Sequence, residues 1–250
     1  MVVVGSGTLV PDPERGPCAL LVEAAGRRVL VDGGSGTLRS LARLGVRPET
    51  LDAGVYSHRH LDHIGELPTL LFHFDCFGRD RAYPLYGGGG LAAFVERLDA
   101  LHGDLHERYA LPVVELSLRE ADAVELAPGF LLRTAPAAHK HGALHLSFEA
   151  DGVRVVFSGD TGPSPALVAL ATDADLLVTE CAFAAPGVGH LCPADVADLV
   201  AEARPRRVVL THLYPEVDGE VALATVRAAG APVERAFDGW SHSSASRLSR

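Results

Sequence analysis

Seven consecutive residues, Ser57-His58-Arg59-His60-Leu61-Asp62-His63, hold three imidazoles and a carboxylate. They follow the apolar run Ala53–Ser57, which reads as a strand. In extended backbone, residues two apart point to the same side, so His58 and His60 can offer two ring nitrogens to one point. Asp62 and His63 fall where a helical pattern starts and can face a second point nearby. Burying these groups together without partners would cost about 1–3 kcal/mol each in lost hydrogen bonding. A bound divalent cation removes that cost, and histidine is the commonest metal ligand, so the chemistry this segment offers is metal binding.

Further along, His139, His141 and His145 follow the strand-like run Phe130–Arg133, Ser158-Gly159-Asp160-Thr161 follows another, and Leu210-Thr211-His212 closes a third. With them, His58-x-His60-x-Asp62-His63 resembles the HxHxDH signature of the metallo-β-lactamase superfamily. Ser158-Gly159-Asp160-Thr161 resembles its SGDT motif, and His212 its late strand-end histidine. Gly5-Ser6-Gly7-Thr8 and Asp32-Gly33-Gly34 match the early turns of these proteins. The likeness runs from about Val2 to Trp240.

The resemblance implies one metal held by His58, His60 and His139, and another by Asp62, His63 and His212, with Asp160 between them. His139 sits where the family places its third histidine, counting back from Asp151-Gly152, and His141 is the alternative; His145 lies in a strand and packs. An all-nitrogen-and-oxygen ligand set suits two divalent ions, zinc first, with manganese or iron as alternatives. Asp62 is also a candidate proton acceptor from the attacking water. In the ribonuclease Z-like branch, a histidine set like His190 binds the scissile phosphate or protonates the leaving oxygen, and an acidic residue like Glu180 orients it. Solvated or capping roles are expected for His73, His102, His106 and His242.

The elements needed to position these groups are short apolar strands alternating with helices. Strands are expected at Val2–Val4, Ala19–Val22, Arg28–Val31, Val113–Leu116, Val124–Leu126, Leu144–Glu149, Val153–Ser158, Leu176–Thr179, Arg207–Thr211 and Val233–Ala236. Helices are expected at Ser35–Leu44, His63–His73, Leu91–Leu101, Pro193–Ala203 and Glu220–Ala229. Asp151-Gly152 between two strands is a two-residue hairpin signal. Gly87–Gly90 reads as a tight loop opening the next helix. The pattern describes a layered α/β chain with no repeat and no long linker, expected to be one domain over residues 1–250. The resemblance makes it a four-layer αββα sandwich, two mixed sheets flanked by helices.

Of the 250 residues, 48% are hydrophobic, and the formal net charge is −10. An acidic chain repels nucleic acid at long range, so phosphate recognition would have to be local. No apolar stretch approaches a membrane span, and the start carries no basic leader, so a cytoplasmic protein is expected. Cys18, Cys76, Cys181 and Cys192 form no CxxC pair and read as buried thiols. Lys140 is the sole lysine among 22 basic residues, which disfavours Schiff-base chemistry.

A ribonuclease Z that processes tRNA carries a long arm between the third histidine and the SGDT aspartate. Here His139 and Asp160 are 21 residues apart, an interval filled by two strands and a turn. The expected substrate is therefore a small phosphodiester or cyclic phosphate, with tRNA disfavoured. Hydrolysis of a lactone or thioester is the runner-up. Flavin-diiron oxidases share the fold but typically place Glu at the second histidine, and His60 argues against that reading. Dimers are common in the family, so a homodimer is an expectation by analogy alone.

Overall fold

The computed structural model describes residues 1–103, 111–116 and 123–243; the expected role of His106 lies outside them. The first sheet takes its strands in chain order: β1 (Val2–Gly5), β2 (Ala19–Ala24), β3 (Arg27–Val31), β4 (Ala53–Tyr56), β5 (Leu85–Gly87) and β6 (Val113–Glu115). Its first two pairings are antiparallel and the next three parallel. The second sheet is ordered β13 (Val233–Arg235), β12 (Val208–Thr211), β11 (Leu176–Glu180), β10 (Val153–Phe157), β9 (Leu144–Ala150), β8 (Phe130–Pro136), β7 (Ala123–Ala127). Here β10 to β13 run parallel, while β7 to β10 form an antiparallel meander.

Side-chain alternation explains the layering. In β2 and β3, Leu20, Val22, Val29 and Val31 point inward and join Phe130, Leu132, Leu146 and Val178 in the core between the sheets. Their neighbours Ala19, Leu21 and Leu30 point outward, beneath the helices on that side. Those are α1 (Thr37–Arg43), α2 (Leu61–Ile64), α3 (Leu67–Cys76) and α4 (Leu91–His102). The second sheet's outer face, with Leu177, Val208 and Leu210, is covered by α5 (Pro165–Ala171), α6 (Pro193–Ala203) and α7 (Gly219–Arg227). The result is the expected four-layer αββα sandwich.

Four local details depart from the sequence reading. The helix expected over His63–His73 is broken at Gly65–Glu66, where Glu66 Oε2 accepts from the Gly36 N–H (2.5 Å). Pro68 sits in the first turn of α3, where its missing N–H does no harm, and a continuous helix through it would lose a bond. Helix α5 was not expected, although Ser164 caps it by accepting from the Leu167 N–H ahead of Pro165. Strand β5 was not expected either, because the Gly87–Gly90 run read as a tight loop begins inside this three-residue strand. The Asp151-Gly152 hairpin does form, with both residues at positive φ, as a type I′ turn requires. Of the cysteines, Cys18, Cys181 and Cys192 are buried as expected, but Cys76 is exposed at the end of α3. No helix among the described residues is long and apolar enough to cross a membrane.

Candidate metal centre

The strand ends β4, β8, β10, β11 and β12 meet at one edge of the sandwich, and each delivers chemistry there. After β4 the chain stays extended through His60 (φ −70°, ψ 150°) and then enters α2, so Asp62 and His63 arrive on a helical turn. After β10, Gly159 turns at φ 57° with its α-carbon against Ser57 and the Leu144 carbonyl; a side chain there would sit 2.9 Å from that oxygen. This turn brings Asp160 among the imidazoles of His58, His63 and His212. After β12, His212 takes φ 55°, strained for a non-glycine by about 1–2 kcal/mol, and its N–H donates to the Ser6 carbonyl (3.1 Å).

Two donor groups result. His58, His60, His139 and Asp160 can place ligand atoms within 4.8 Å of one another, and so can Asp62, His63 and His212. Asp160 spans both: its Oδ2 lies 3.6 Å from His58 Nε2, and its Oδ1 lies 3.3 Å from His63 Nε2 and 3.7 Å from His212 Nε2. Asp62 Oδ2 approaches His212 Nε2 at 3.3 Å, and His60 Nδ1 meets His139 Nε2 at 3.2 Å.

Hydrogen bonds behind the rings fix which nitrogen faces inward. Asp32 is buried at φ 54° and accepts from the Ser57 N–H, the Ser57 hydroxyl and His63 Nδ1–H, all at 2.7 Å. Because the Ser57 hydroxyl donates to Asp32, it accepts from His58 Nδ1–H (3.1 Å). His139 Nδ1–H donates to the Gly189 carbonyl (2.8 Å). Each of these three rings therefore turns its Nε2 toward the centre, the atom a metal ion would take.

The residues present fit a metal pair. His58 Nε2 and His63 Nε2 are buried with no hydrogen-bond partner, and both point at Asp160. Unpartnered buried nitrogens are rare, and here two flank one buried carboxylate. Burial and the His63 charge push the His58 imidazole down to about 2, so it is neutral at physiological pH. Asp62 is held at about 2, because hydrogen bonding to His212 and the His63 charge outweigh its burial. Asp160 likewise lies well below the usual carboxylate range: His212, His63 and His58 overcome burial. Against its burial, the Asp160 and Asp32 carboxylates raise the His63 ring well above its ordinary range, so the buried carboxylates here form a site that asks for cationic charge.

The beta-lactamase superfamily domain matches residues 27–213 of the chain. The ribonuclease Z of Mycobacterium bovis is 35% identical over 191 residues, covering 71% of this chain and 68% of that protein. This chain belongs to the metallo-β-lactamase superfamily. It falls among the ribonuclease Z-like members and is a metal-dependent hydrolase. A ribonuclease Z from Bradyrhizobium diazoefficiens is 28% identical over 281 residues, with 90% and 92% coverage of the two chains. Among solved structures, the metallo-β-lactamase fold protein YhfI from Bacillus subtilis superposes with a TM-score of 0.82 at 23% identity, covering 96% of each chain. Human short-form tRNase Z gives 0.79 at 24% identity, covering 97% of this chain and 99% of that one.

All seven residues expected to bind metal converge in this superfamily member, and of the competing histidines it is His139 that joins them. His141 is exposed. His145 is fully buried, with Nδ1–H donating to the Ser158 carbonyl (2.6 Å) and Nε2 accepting from the Ser164 hydroxyl (3.0 Å). His73 pairs with Glu49 (2.7 Å), and the His242 ring stacks on Trp240, away from the centre.

Glu180, at the end of β11, is buried and accepts from the Thr161 N–H (2.6 Å) and the Ala182 and Leu191 N–H groups (3.3 Å each). His190 Nδ1 lies 3.1 and 3.2 Å from its two oxygens. His190 and His212 can each bring a ring nitrogen within 4.8 Å of Asp160. Burial pushes His190 below its usual range, while burial and the Asp160 charge push Glu180 above its own.

The sequence reading missed the role of Asp32, seen there only as part of a turn. No spacing links it to His63; the signal is an aspartate in the first position of a strand-terminal Asp-Gly-Gly. Cys18 lies close to Asp32 and His63, but burial raises its thiol to about 12, so it remains protonated beside the ring.

Proposed function

We propose that this protein is a binuclear-metal phosphodiesterase acting on a small phosphodiester or cyclic phosphate. The observation that carries this reading is one carboxylate, Asp160, spanning two donor groups with the Glu180–His190 pair set against it. His58, His60 and His139 would hold one divalent ion, Asp62, His63 and His212 the other, with Asp160 shared. Two such ions supply Lewis-acid polarisation of the phosphoryl group and activation of water. Zinc is the proposed metal, since the ligand atoms are imidazole nitrogens and carboxylate oxygens.

The chain's own groups do the rest. Asp32, Ser57 and the Gly189 carbonyl hold the imidazoles in register, so little reorganisation is needed when substrate arrives. Glu180 fixes the His190 ring by its Nδ1 proton. A phosphodiester anion beside that ring favours its second proton, which then passes to the departing alkoxide. Asp62, besides serving as a ligand, would accept a proton from the attacking water.

Two features support a small substrate over tRNA: the net charge of −10, and an interval between His139 and Asp160 made up of β9, β10 and short turns. The test is steady-state hydrolysis by the zinc-loaded protein of bis(p-nitrophenyl) phosphate, a lactone and thioester panel, and a precursor tRNA. Turnover of the diester with little on the others supports the proposal. Turnover confined to lactones or thioesters, or precursor tRNA cleaved with higher kcat/KM than any small diester, overturns it.

A further inference from the structure

The mouth of this site has an aromatic wall that the chemistry above does not use. Phe183 lies three residues beyond the end of β11 and Tyr214 three beyond the end of β12, on the adjacent parallel strands that also bring Glu180 and His212. The Phe183 ring centroid lies 4.8 Å from that of His190, and Gly187 packs against the Phe183 ring so closely that a side chain there would collide with it. Phe183 is thus braced from the loop side. Tyr214 is half-buried, with its ring 6.0 Å from Phe183, 5.8 Å from His212 and 6.4 Å from His190. It stands nearly perpendicular to both imidazoles, at 76° and 70°. Its backbone is pinned by its own N–H to the Ala182 carbonyl (3.3 Å) and by the Val217 N–H to its carbonyl (3.0 Å).

A large ring held half-exposed among metal ligands is poorly used by the fold. Its hydroxyl makes no hydrogen bond among the described residues. Such a surface suits a flat partner, because every nucleobase offers a π-face to an aromatic side chain. We infer that Tyr214, braced by Phe183, is a stacking wall for the base of a nucleotide substrate. This rests on the phosphodiesterase reading and narrows its substrate class to nucleoside phosphodiesters or cyclic nucleotides.

The test is calorimetric binding of adenosine 5′-monophosphate and ribose 5-phosphate to the zinc-loaded protein, two ligands that differ only by the base. Stacking by one ring predicts that the nucleotide binds about tenfold tighter or more. Tyr214→Phe keeps that preference, and Tyr214→Ala brings the two affinities within about twofold of each other. Equal affinities in the unaltered protein overturn the inference, whatever the variants do. A preference that survives in Tyr214→Ala, or is lost in Tyr214→Phe, overturns it as well, the latter by assigning the effect to the hydroxyl. If neither ligand binds, it is the phosphodiesterase reading that fails, and the wall with it; binding without preference removes the wall alone.

Discussion

Replacing Asp32 by Asn probes how the centre is held without touching a proposed ligand. Asn tolerates the left-handed backbone at this position, so the turn survives. The aspartate accepts three hydrogen bonds at 2.7 Å, from the Ser57 N–H, the Ser57 hydroxyl and His63 Nδ1–H. An asparagine has one acceptor oxygen, and whichever way it turns its NH₂ faces a donor. One buried donor is left unsatisfied, at about 1–3 kcal/mol, and the remaining bonds lose charge assistance, for a total of about 2–4 kcal/mol of folding stability. His63 also loses the carboxylate that fixes its tautomer, which typically weakens metal affinity by about 10–100-fold. The ion proposed at Asp62, His63 and His212 should weaken by that factor. The other, reached only through Ser57 and His58, should weaken less. Competition against a chromogenic chelator, run beside thermal unfolding, reads both. Wild-type affinity at both centres in a folded Asp32→Asn protein would refute the reasoning.

Three further outcomes follow from the geometry. His190→Ala should retain metal and lower kcat by about 10²–10⁴-fold for a diester with an alkoxide leaving group, and far less for a p-nitrophenyl diester, whose leaving group needs no proton; equal losses on both would remove His190 as the acid. Gly159→Ala forces a side chain into φ 57° against the Leu144 carbonyl, so metal content should drop with a stability loss of at least about 1–2 kcal/mol, and full metal content by elemental analysis would contradict it. His145 is buried and neutral, lowered by burial to about 4 against an ordinary 6.5, so the unfolded chain binds its proton first as pH falls. Its contribution is fully present above pH 6.5 and is lost between 6.5 and 4, up to about 3 kcal/mol. Denaturant titrations across that window should show a shallower pH dependence for His145→Gln, and an unchanged slope would count against the assignment.

How legible all this was depended on the distance over which each feature is encoded. The His58–His63 segment speaks for itself, because strand alternation and one helical turn put its four donors in place. Most strands were readable for a similar reason: inward and outward faces alternate residue by residue, as in Leu20-Leu21-Val22. Helix α5 had a local signal in Ser164-Pro165 that its short length obscured. The break before α3 comes from a tertiary demand, Glu66 reaching back to Gly36, together with Pro68. The role of Asp32 was not legible, since it is defined by partners 25 and 31 residues away. Nor was the Phe183–Tyr214 wall, which exists only because β11 and β12 lie side by side. His139 was already preferred over His141 by its spacing from Asp151-Gly152, and the turn that exposes the His141 ring leaves the His139 ring facing His60.

The central claim is that separate strand ends cage two cations around Asp160. Elemental analysis of demetallated protein reloaded with zinc and freed of excess tests it most directly, with Asp160→Ala in parallel. The account predicts two equivalents per chain in the unaltered protein, with a marked loss in the variant and at least a roughly 10²-fold fall in hydrolysis. Less than one equivalent of any transition metal in the unaltered protein, or two equivalents and full activity in Asp160→Ala, would contradict it.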